Sequence, residues 1–299
     1  MISLTFLGTT SMTPTPKRNA VSMLLQLDGK NILIDCGEGT QRQLMIAGVS
    51  PQKIDKIFIS HWHGDHILGL PGLLQTINSQ EKNKPVEIYG PIGTKKFMSL
   101  LLKMFVIDRN NLKIIIKELT RKNQTINFDL FQVICQKLDH VTPCYAYSFV
   151  ENPKRKINIQ YLKKFDLKTH PLIGDLQKGK DILYKGKKIS HKKATYIKKG
   201  KKITFILDTK FTKDAVKISK DSDILVCEST FLSDLNKKAF QYKHLTAKQA
   251  AIIAKNSNSK KLILTHFSQR YKDLNKIQKE AKNIFENTIC AYDFLKINL

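Results

Sequence analysis

The sequence predicts an α/β fold in which one basic segment interrupts a regular alternation of strands and helices. Short runs of β-branched and aromatic residues alternate with segments of helical apolar spacing in the first and last thirds of the chain. Between them, residues 151–202 are punctuated by Lys, Gly and Pro and show no sustained period. The 299 residues are enough for one large domain over residues 1–299, interrupted by residues 151–202.

The part of the chain before residue 120 contains expected strands and helices in alternation. The strands are Ile2 to Thr9, Ser22 to Leu27, Lys30 to Asp35, Lys56 to Ser60, Val86 to Tyr89 and Lys113 to Leu119. The helices are Thr40 to Ala47, Ile67 to Ile77 and Thr94 to Phe105. A tight Asp28-Gly29 turn is expected between the second and third strands, and Gly48 is expected to end the first helix.

The remainder follows the same alternation outside the basic segment. Residues 125–150 are expected to form two strands broken near residues 139–143. The later strands are Ile203 to Leu207, Ile224 to Cys227, Lys261 to Thr265 and Ile289 to Leu295, and the later helices are Ala247 to Ala254 and Leu274 to Phe285.

The charge balance predicts a polyanionic partner. There are 51 Lys and Arg against 25 Asp and Glu, a net charge of +26. Residues 151–202 hold 17 of the basic residues and four of the acidic ones, so half of the net charge lies in about a sixth of the chain. A genome-wide preference for Lys codons would spread the charge evenly, so nucleic acid is the favoured partner. A solvated lysine-rich loop is the alternative.

The cysteines and the apolar runs indicate a cytoplasmic protein. The five cysteines are scattered and include no Cys-x-x-Cys pair, a pattern typical of reduced thiols. The first residues lack the basic segment and long apolar stretch of a signal peptide. No apolar run approaches the roughly 20 residues needed to cross a bilayer, so we expect no membrane segment.

The motif His61-Trp62-His63-Gly64-Asp65-His66 predicts a metal site just past a buried strand. Alternate side chains in a loop converge, so His61 and His63 are expected to share one cation while Asp65 and His66 face a second. Imidazole and carboxylate suit Zn²⁺, with Mn²⁺ or another divalent ion as alternatives. A lone His is usually structural, but this density among only eight His makes coincidence improbable.

The motif His-x-His-x-Asp-His resembles the signature of the metallo-β-lactamase superfamily, whose fold is an αββα sandwich. The resemblance implies three further ligands at strand ends, namely His140, Asp208 and His266. It implies His61, His63 and His140 on one ion, Asp65, His66 and His266 on the other, and Asp208 bridging the two Zn²⁺ of each subunit. Leu207 departs from the Gly that usually precedes this Asp.

Four further features resemble the ribonuclease Z family, which removes the 3′ trailer of precursor tRNA. They are the Pro-rich loop that ends in Lys17, Arg18 and Asn19, the segment Cys227-Glu228-Ser229-Thr230, the segment His244-Leu245-Thr246, and the basic insertion where this family carries a tRNA-binding arm. Pro16 stands where the family usually has Lys. Taken singly each feature is weak, since Thr246 is also suited to cap a helix.

The resemblance implies a zinc-dependent endoribonuclease that cuts after the discriminator nucleotide and forms a homodimer. Asp65 would accept a proton, and His244, oriented by Glu228, would stabilise the reacting phosphate or protonate the leaving oxygen. Lys17, Arg18, Asn19 and Thr246 would contact substrate, as would Lys163, Lys164, Lys178 and Lys180 of the insertion. The alternatives are a small-molecule phosphodiesterase or thioesterase of the same fold, and a non-enzymatic RNA-binding module with a structural metal.

Overall fold

A computed structural model of the chain describes residues 2–79, 84–107 and 111–299. The chain divides into two compact units, and each is considered by itself. Unit 1 comprises residues 1–127, 133–149 and 202–299, and unit 2 comprises residues 128–132 and 150–201.

The strands of the described residues are numbered in chain order. They are β1 (Ile2–Gly8), β2 (Ser22–Leu27), β3 (Lys30–Ile34), β4 (Ile54–Phe58), β5 (Val86–Pro91), β6 (Ile114–Leu119), β7 (Asn123–Asn127), β8 (Phe131–Leu138), β9 (Cys144–Glu151), β10 (Lys154–Ile157), β11 (Ile182–Tyr184), β12 (Lys187–Ile189), β13 (Thr195–Lys198), β14 (Lys202–Ile206), β15 (Ile224–Glu228), β16 (Leu262–Thr265), β17 (Thr288–Cys290) and β18 (Lys296–Asn298).

The α-helices of the described residues follow the same numbering. They are α1 (Thr40–Ile46), α2 (Gly64–Ile67), α3 (Leu70–Asn78), α4 (Thr94–Met104), α5 (Ile159–Lys163), α6 (Leu172–Gln177), α7 (His191–Ala194), α8 (Lys213–Ser219), α9 (Asn236–Gln241), α10 (Ala247–Asn256) and α11 (Asn275–Lys282). None of them is long and apolar enough to cross a membrane.

Two seven-stranded sheets form the middle layers of unit 1. The strand order is β18-β1-β2-β3-β4-β5-β6 in the first sheet and β17-β16-β15-β14-β9-β8-β7 in the second. The parallel pairs β3–β4–β5–β6 and β14–β15–β16–β17 place the carboxyl ends of successive strands at a common edge. Loops at such an edge hold the side chains of a site on a rigid scaffold.

Aromatic side chains join the two sheets. The ring of Phe58 on β4 stacks on Tyr89 at 4.5 Å and meets Tyr147 and Phe149 of β9 edge-on at 5.1 Å each. Helices α1, α3 and α4 cover the outer face of the first sheet, and α8, α10 and α11 cover that of the second, each through a buried aliphatic cluster. The described part of unit 1 is therefore an αββα sandwich, as the sequence predicted.

The expected strand Ile289 to Leu295 is wrong in one respect. Only Ile289 and Cys290 of this segment lie in a strand, β17 of the second sheet, and β18 of the first sheet begins after it at Lys296. The turn between them places Asp293 where its carboxylate accepts hydrogen bonds from Thr9 Oγ1 at 2.8 Å and Asn19 N at 2.7 Å. Phe294 has a positive φ of 70°, which ends any extended run. A local apolar pattern contains no sign of this division between sheets.

Unit 2 has a small apolar core of its own. Strands β10 and β13 pair antiparallel, and β11 and β12 form a hairpin. The buried members of the core are Leu162, Leu167, Leu176, Ile182, Ile189 and Ala194. The segment is thus folded, and the alternative of a simple solvated loop does not describe it.

Candidate metal centre

The loop that carries the histidine-rich motif leaves the carboxyl end of β4. The carbonyl of His66 accepts a hydrogen bond from Cys36 N at 2.8 Å, which ties the loop to the chain that follows β3. Gly37 packs against this loop so closely that a Cβ atom there would lie 2.4 Å from the carbonyl oxygen of Asp65. The backbone contact therefore requires glycine and holds the motif against the sheet edge.

The seven predicted ligands fall within three groups of side chains that could hold a metal ion. Ligand atoms of His61, His63, His140 and Asp208 lie within 4.8 Å of one another. Those of Asp65, His66 and His266 form a second group within the same limit, and those of Asp208, Glu228, His244 and His266 form a third. Asp208 lies near members of both the first and the second group, since its carboxylate oxygens lie 3.5 Å from His61 Nε2, 3.6 Å from His66 Nε2 and 3.2 Å from His266 Nε2.

Four imidazoles are each oriented by a hydrogen bond at Nδ1, which leaves Nε2 facing the other predicted ligands. Each can donate its Nδ1 hydrogen to an oxygen atom outside the ligand groups, which determines the tautomer. The pairs are His61 with Ser60 Oγ at 3.0 Å, His66 with Asp35 Oδ2 at 2.6 Å, His140 with Lys243 O at 3.1 Å and His266 with Thr230 Oγ1 at 3.1 Å. His63 instead directs Nδ1 inward, 3.3 Å from His140 Nε2.

The buried polar atoms of these groups fit divalent cations. Among the described residues, His61 Nε2, His66 Nε2 and Asp208 Oδ1 are buried without a hydrogen-bond partner. Such atoms are costly in a folded protein unless a ligand satisfies them. Nitrogen from histidine and oxygen from aspartate are the donor set that Zn²⁺ commonly takes.

Electrostatics favour neutral rings beside ionised carboxylates. Burial lowers the pKa of His61, His63 and His140 and outweighs the carboxylate of Asp208, which acts in the opposite direction. Burial raises the pKa of Asp208, but the surrounding imidazoles, above all His266, outweigh it and hold the pKa well below the usual range. Neutral imidazole and ionised carboxylate are the ligating forms.

His66 shows where positive charge is stabilised. Burial lowers its pKa, but the carboxylates of Asp208, Asp35 and Asp65 outweigh burial and raise the pKa well above the usual value. Burial likewise raises the pKa of Asp65, while His66 and His266 outweigh it and lower the pKa. The carboxylates here thus create a field that suits a cation.

His244 lies beside the seven predicted ligands and is held by Glu228. Its Nδ1 lies 3.0 Å from Glu228 Oε2, and Glu228 is fully buried. The same carboxylate accepts hydrogen bonds from Thr209 N at 2.7 Å and Thr230 Oγ1 at 2.6 Å, which fix its position. Burial lowers the pKa of His244, but the carboxylates of Glu228 and Asp208 outweigh it and raise the pKa to about 9.

A cavity of about 710 Å³ opens over these side chains. That volume lies within the range of roughly 300–1,000 Å³ that is usual for ligand sites. Its lining includes Asp65, His63, His140, Asp208, His244 and His266, the apolar side chains Met12, Leu68, Val141, Phe231 and Tyr242, and the basic side chains Lys238 and Arg270. Arg270 lies over the ring of Phe231 at 5.2 Å. The cavity therefore combines a polar floor with an apolar and basic rim.

The predicted substrate residues of the N-terminal loop lie outside this lining. Arg18 donates from Nη2 to the carbonyl of Tyr271 at 2.6 Å, and Asn19 donates from Nδ2 to the carbonyl of Glu38 at 2.6 Å. Both side chains thus brace the loop, whereas Lys17 is exposed. Thr246 is buried, and its hydroxyl accepts a hydrogen bond from Gln249 N at 3.2 Å, the helix cap that the sequence allowed.

The predicted lysines of the insertion lie on unit 2. Lys163 ends α5, Lys164 follows it, and Lys178 and Lys180 follow α6. All four side chains are exposed. Exposed lysines on a folded support are suited to contact phosphates without reading bases.

Sequence reasoning missed the residues that support the ligands from behind. Asp35 is fully buried and accepts hydrogen bonds from Ser60 N at 2.6 Å and Ser60 Oγ at 2.7 Å as well as contacting His66. A useful signal was present, because an Asp at the end of a buried strand is costly unless it is paired.

Comparisons with known proteins identify relatives along nearly the whole chain. A family model described as anti-Pycsar protein Apyc1 matches residues 2–290. A protein named ribonuclease Z from Archaeoglobus fulgidus is 37% identical over 303 residues, which cover 100% of this chain and 98% of that protein.

Two solved structures are similar over nearly the whole chain. The human tRNase Z, short form, has a TM-score of 0.73 and 29% identity, covering 99% of this chain and 98% of that one. The metallo-β-lactamase fold protein YhfI from Bacillus subtilis has a TM-score of 0.72 and 19% identity with the same coverage, and that likeness shows the fold alone. This chain therefore belongs to the family of the matching model and to the ribonuclease Z family of metallo-β-lactamase fold proteins.

Proposed function

We propose that this chain is a zinc-dependent endoribonuclease that removes the 3′ trailer of precursor tRNA. The observation that carries the proposal is the cluster of seven potential metal ligands around Asp208, in a chain 37% identical to a named ribonuclease Z. The human relative in the comparison is named tRNase Z, which supports tRNA as the substrate class.

The seven ligands would hold two Zn²⁺ per subunit. His61, His63 and His140 would bind one ion and Asp65, His66 and His266 the other, with Asp208 shared between them. Two such ions supply Lewis acidity at the phosphate and make water a nucleophile near neutral pH. The orienting contacts behind four of the imidazoles would keep these donors in place without the need to reorganise on binding.

Asp65 and His244 would handle the protons of the hydrolysis. Water adds to phosphorus after the discriminator nucleotide, and the bond to the 3′ oxygen breaks. Asp65 faces the cavity and would accept a proton from water. His244, held by Glu228, would stabilise the charge on the phosphate or give a proton to the 3′ oxygen. The products would be a tRNA 3′-hydroxyl and a trailer 5′-phosphate.

Unit 2 would act as the tRNA-binding arm. It contributes exposed lysines on a folded support, including Lys163, Lys164, Lys178 and Lys180. The family resemblance also implied substrate contacts by Lys17, Arg18, Asn19 and Thr246. Of these, exposed Lys17 has the best access to RNA.

The setting of the enzyme is part of the proposal. All five cysteines are free thiols, which supports a reducing compartment such as the cytoplasm. We also propose a homodimer, on the basis of the family resemblance, and sedimentation of the purified protein would test it through the measured mass.

Cleavage of a precursor tRNA with both product ends mapped tests the activity. A chromogenic phosphodiester and a thioester serve as parallel substrates. The proposal predicts one cut after the discriminator nucleotide, dependent on divalent metal. If the protein hydrolyses a small substrate but does not cleave precursor tRNA, the result supports the small-molecule alternative instead.

A further inference from the structure

Asp139 joins three loops that each carry a site residue. It follows β8 and directly precedes His140. Its carboxylate binds the ammonium group of Lys210 at 2.7 Å through one oxygen and that of Lys243 at 2.8 Å through the other. Lys210 lies two residues after Asp208, and Lys243 directly precedes His244.

Backbone contacts strengthen the tie between the Asp139 and Asp208 loops. The carbonyl of Asp139 accepts hydrogen bonds from Lys210 N at 3.1 Å and Thr209 Oγ1 at 3.3 Å. The side chain and the main chain of Asp139 thus act on the same neighbouring loop, which restricts the separation between His140 and Asp208.

Lys243 has an unusual backbone conformation that bears directly on His140. Its φ is +54°, which a residue with a long side chain rarely adopts without a compensating contact. In that conformation its carbonyl accepts the Nδ1 hydrogen of His140 at 3.1 Å, and its Nζ donates to the carbonyl of His140 at 3.3 Å. The conformation of Lys243 therefore determines how His140 faces the cavity.

Stability alone gives a weak reason for this arrangement. The three side chains are 35–38% exposed, and ion pairs with such exposure contribute little to the free energy of unfolding. Direct phosphate binding by the two lysines is the other possible role, but both ammonium groups already bind Asp139.

We infer that Asp139 is a positioning residue that keeps His140, Asp208 and His244 in register by binding Lys210 and Lys243. Asp139 does not line the cavity of about 710 Å³ over the predicted ligands; it lines a second cavity, of about 590 Å³, together with Leu138 and His140. An effect on kcat rests on the proposed ribonuclease activity, whereas an effect on zinc release requires only that the predicted ligands bind zinc.

The Asp139→Asn variant tests the inference by removing charge at constant volume. We expect kcat on precursor tRNA to fall about 10- to 100-fold with little change in KM, and zinc to pass to a chelator faster by a similar factor, the range usual for residues that orient metal ligands. Asp55→Asn is the matched control. Asp55 also pairs with a lysine, Lys30, but it lies at the start of β4, far along the strand from the loop that carries the histidine-rich motif.

The outcomes of this variant are distinct. Unchanged kcat and unchanged zinc release would overturn the inference. A lower KM at constant kcat would also overturn it, because it would show that the freed lysines bind RNA. If the wild type does not cleave precursor tRNA but the variant still releases zinc faster than the wild type, the inference is supported and the proposed function is contradicted.

Two variants of Lys243 test whether the ion pair acts through the backbone. Glycine adopts a φ of +54° without the cost that a Cβ imposes, whereas alanine does not. We expect Lys243→Ala to release zinc as fast as Asp139→Asn, and Lys243→Gly to restore most of the retention although it also lacks the ammonium group. If both variants lose zinc equally fast, the ion pair between Asp139 and Lys243 does not act by holding the backbone conformation of Lys243.

Discussion

The candidate metal centre and unit 2 are built in opposite ways. In the metal centre, His61, His66 and Asp208 are almost fully buried, and four of the imidazoles are each held by a specific oxygen atom. In unit 2, a core of six small and aliphatic side chains supports lysines that face solvent. The first arrangement suits chemistry that tolerates little displacement, and the second suits contact with many differently shaped polyanions.

The largest effect is expected when a proposed metal ligand is removed. Asp208→Ala removes the carboxylate that lies near His61, His66 and His266 and should abolish cleavage, and His63→Ala should do the same. Metal analysis of the wild type should give close to two divalent ions per chain, with less in either variant. A fully active wild type with a single tightly held ion would contradict the two-metal account.

The next effect separates metal binding from proton transfer. His244→Ala should retain its metal and lose roughly 10²–10⁴ in kcat, the range for a group that transfers a proton or stabilises charge. His191→Ala is the matched control on the chromogenic substrate, because His191 also pairs with a carboxylate, that of Asp181 at 2.7 Å. Wild-type kcat in metal-replete His244→Ala would remove His244 from the mechanism.

The candidate ligands and the residues that support them differ in how far the sequence could predict them. The clustering of the seven candidate ligands could be predicted because His61, His63, Asp65 and His66 form a dense motif and the family resemblance places the others at strand ends. Their supports were harder to predict, because Thr230 and Lys243 reach the candidate ligands through contacts between distant loops, and Asp35 indicated a buried partner without identifying it as His66. Helix α8 and helix α9 were also missed, since short helices carry little periodic signal.

A smaller effect is expected from single lysines of unit 2. Lys163→Ala should weaken binding of precursor tRNA several-fold and leave kcat unchanged. If Lys163 contacts a phosphate, the log–log salt dependence of binding should flatten by about 0.9 for a duplex contact or about 0.7 for a single strand. Lys255→Ala, on helix α10, is the control. An unchanged slope would show that Lys163 makes no phosphate contact.

The smallest effect on activity is expected at Thr246. Since its hydroxyl caps α10, Thr246→Ala should lower the free energy of unfolding by about 1 kcal/mol. Thr246→Ser keeps the capping oxygen and should restore the stability. A raised KM for precursor tRNA without loss of stability would instead support the substrate contact that the resemblance implied.

One replacement tests most directly whether chemistry and RNA binding are divided between the two regions. Pro153 to Lys199 would be exchanged for a short Gly/Ser linker. The ends are adjacent, because Glu151 N donates to Lys201 O at 2.9 Å. Gly200 is kept, since a Cβ there would lie 1.8 Å from the carbonyl of Glu151.

The replaced protein is assayed on the chromogenic phosphodiester and on precursor tRNA side by side, with its metal content measured. The account predicts nearly unchanged turnover of the small substrate and a loss of orders of magnitude on precursor tRNA, mainly through weaker binding. If the replaced protein cleaves both substrates as well as the wild type does, unit 2 is not the tRNA-binding arm. Loss of both activities with the metal retained would contradict the division itself.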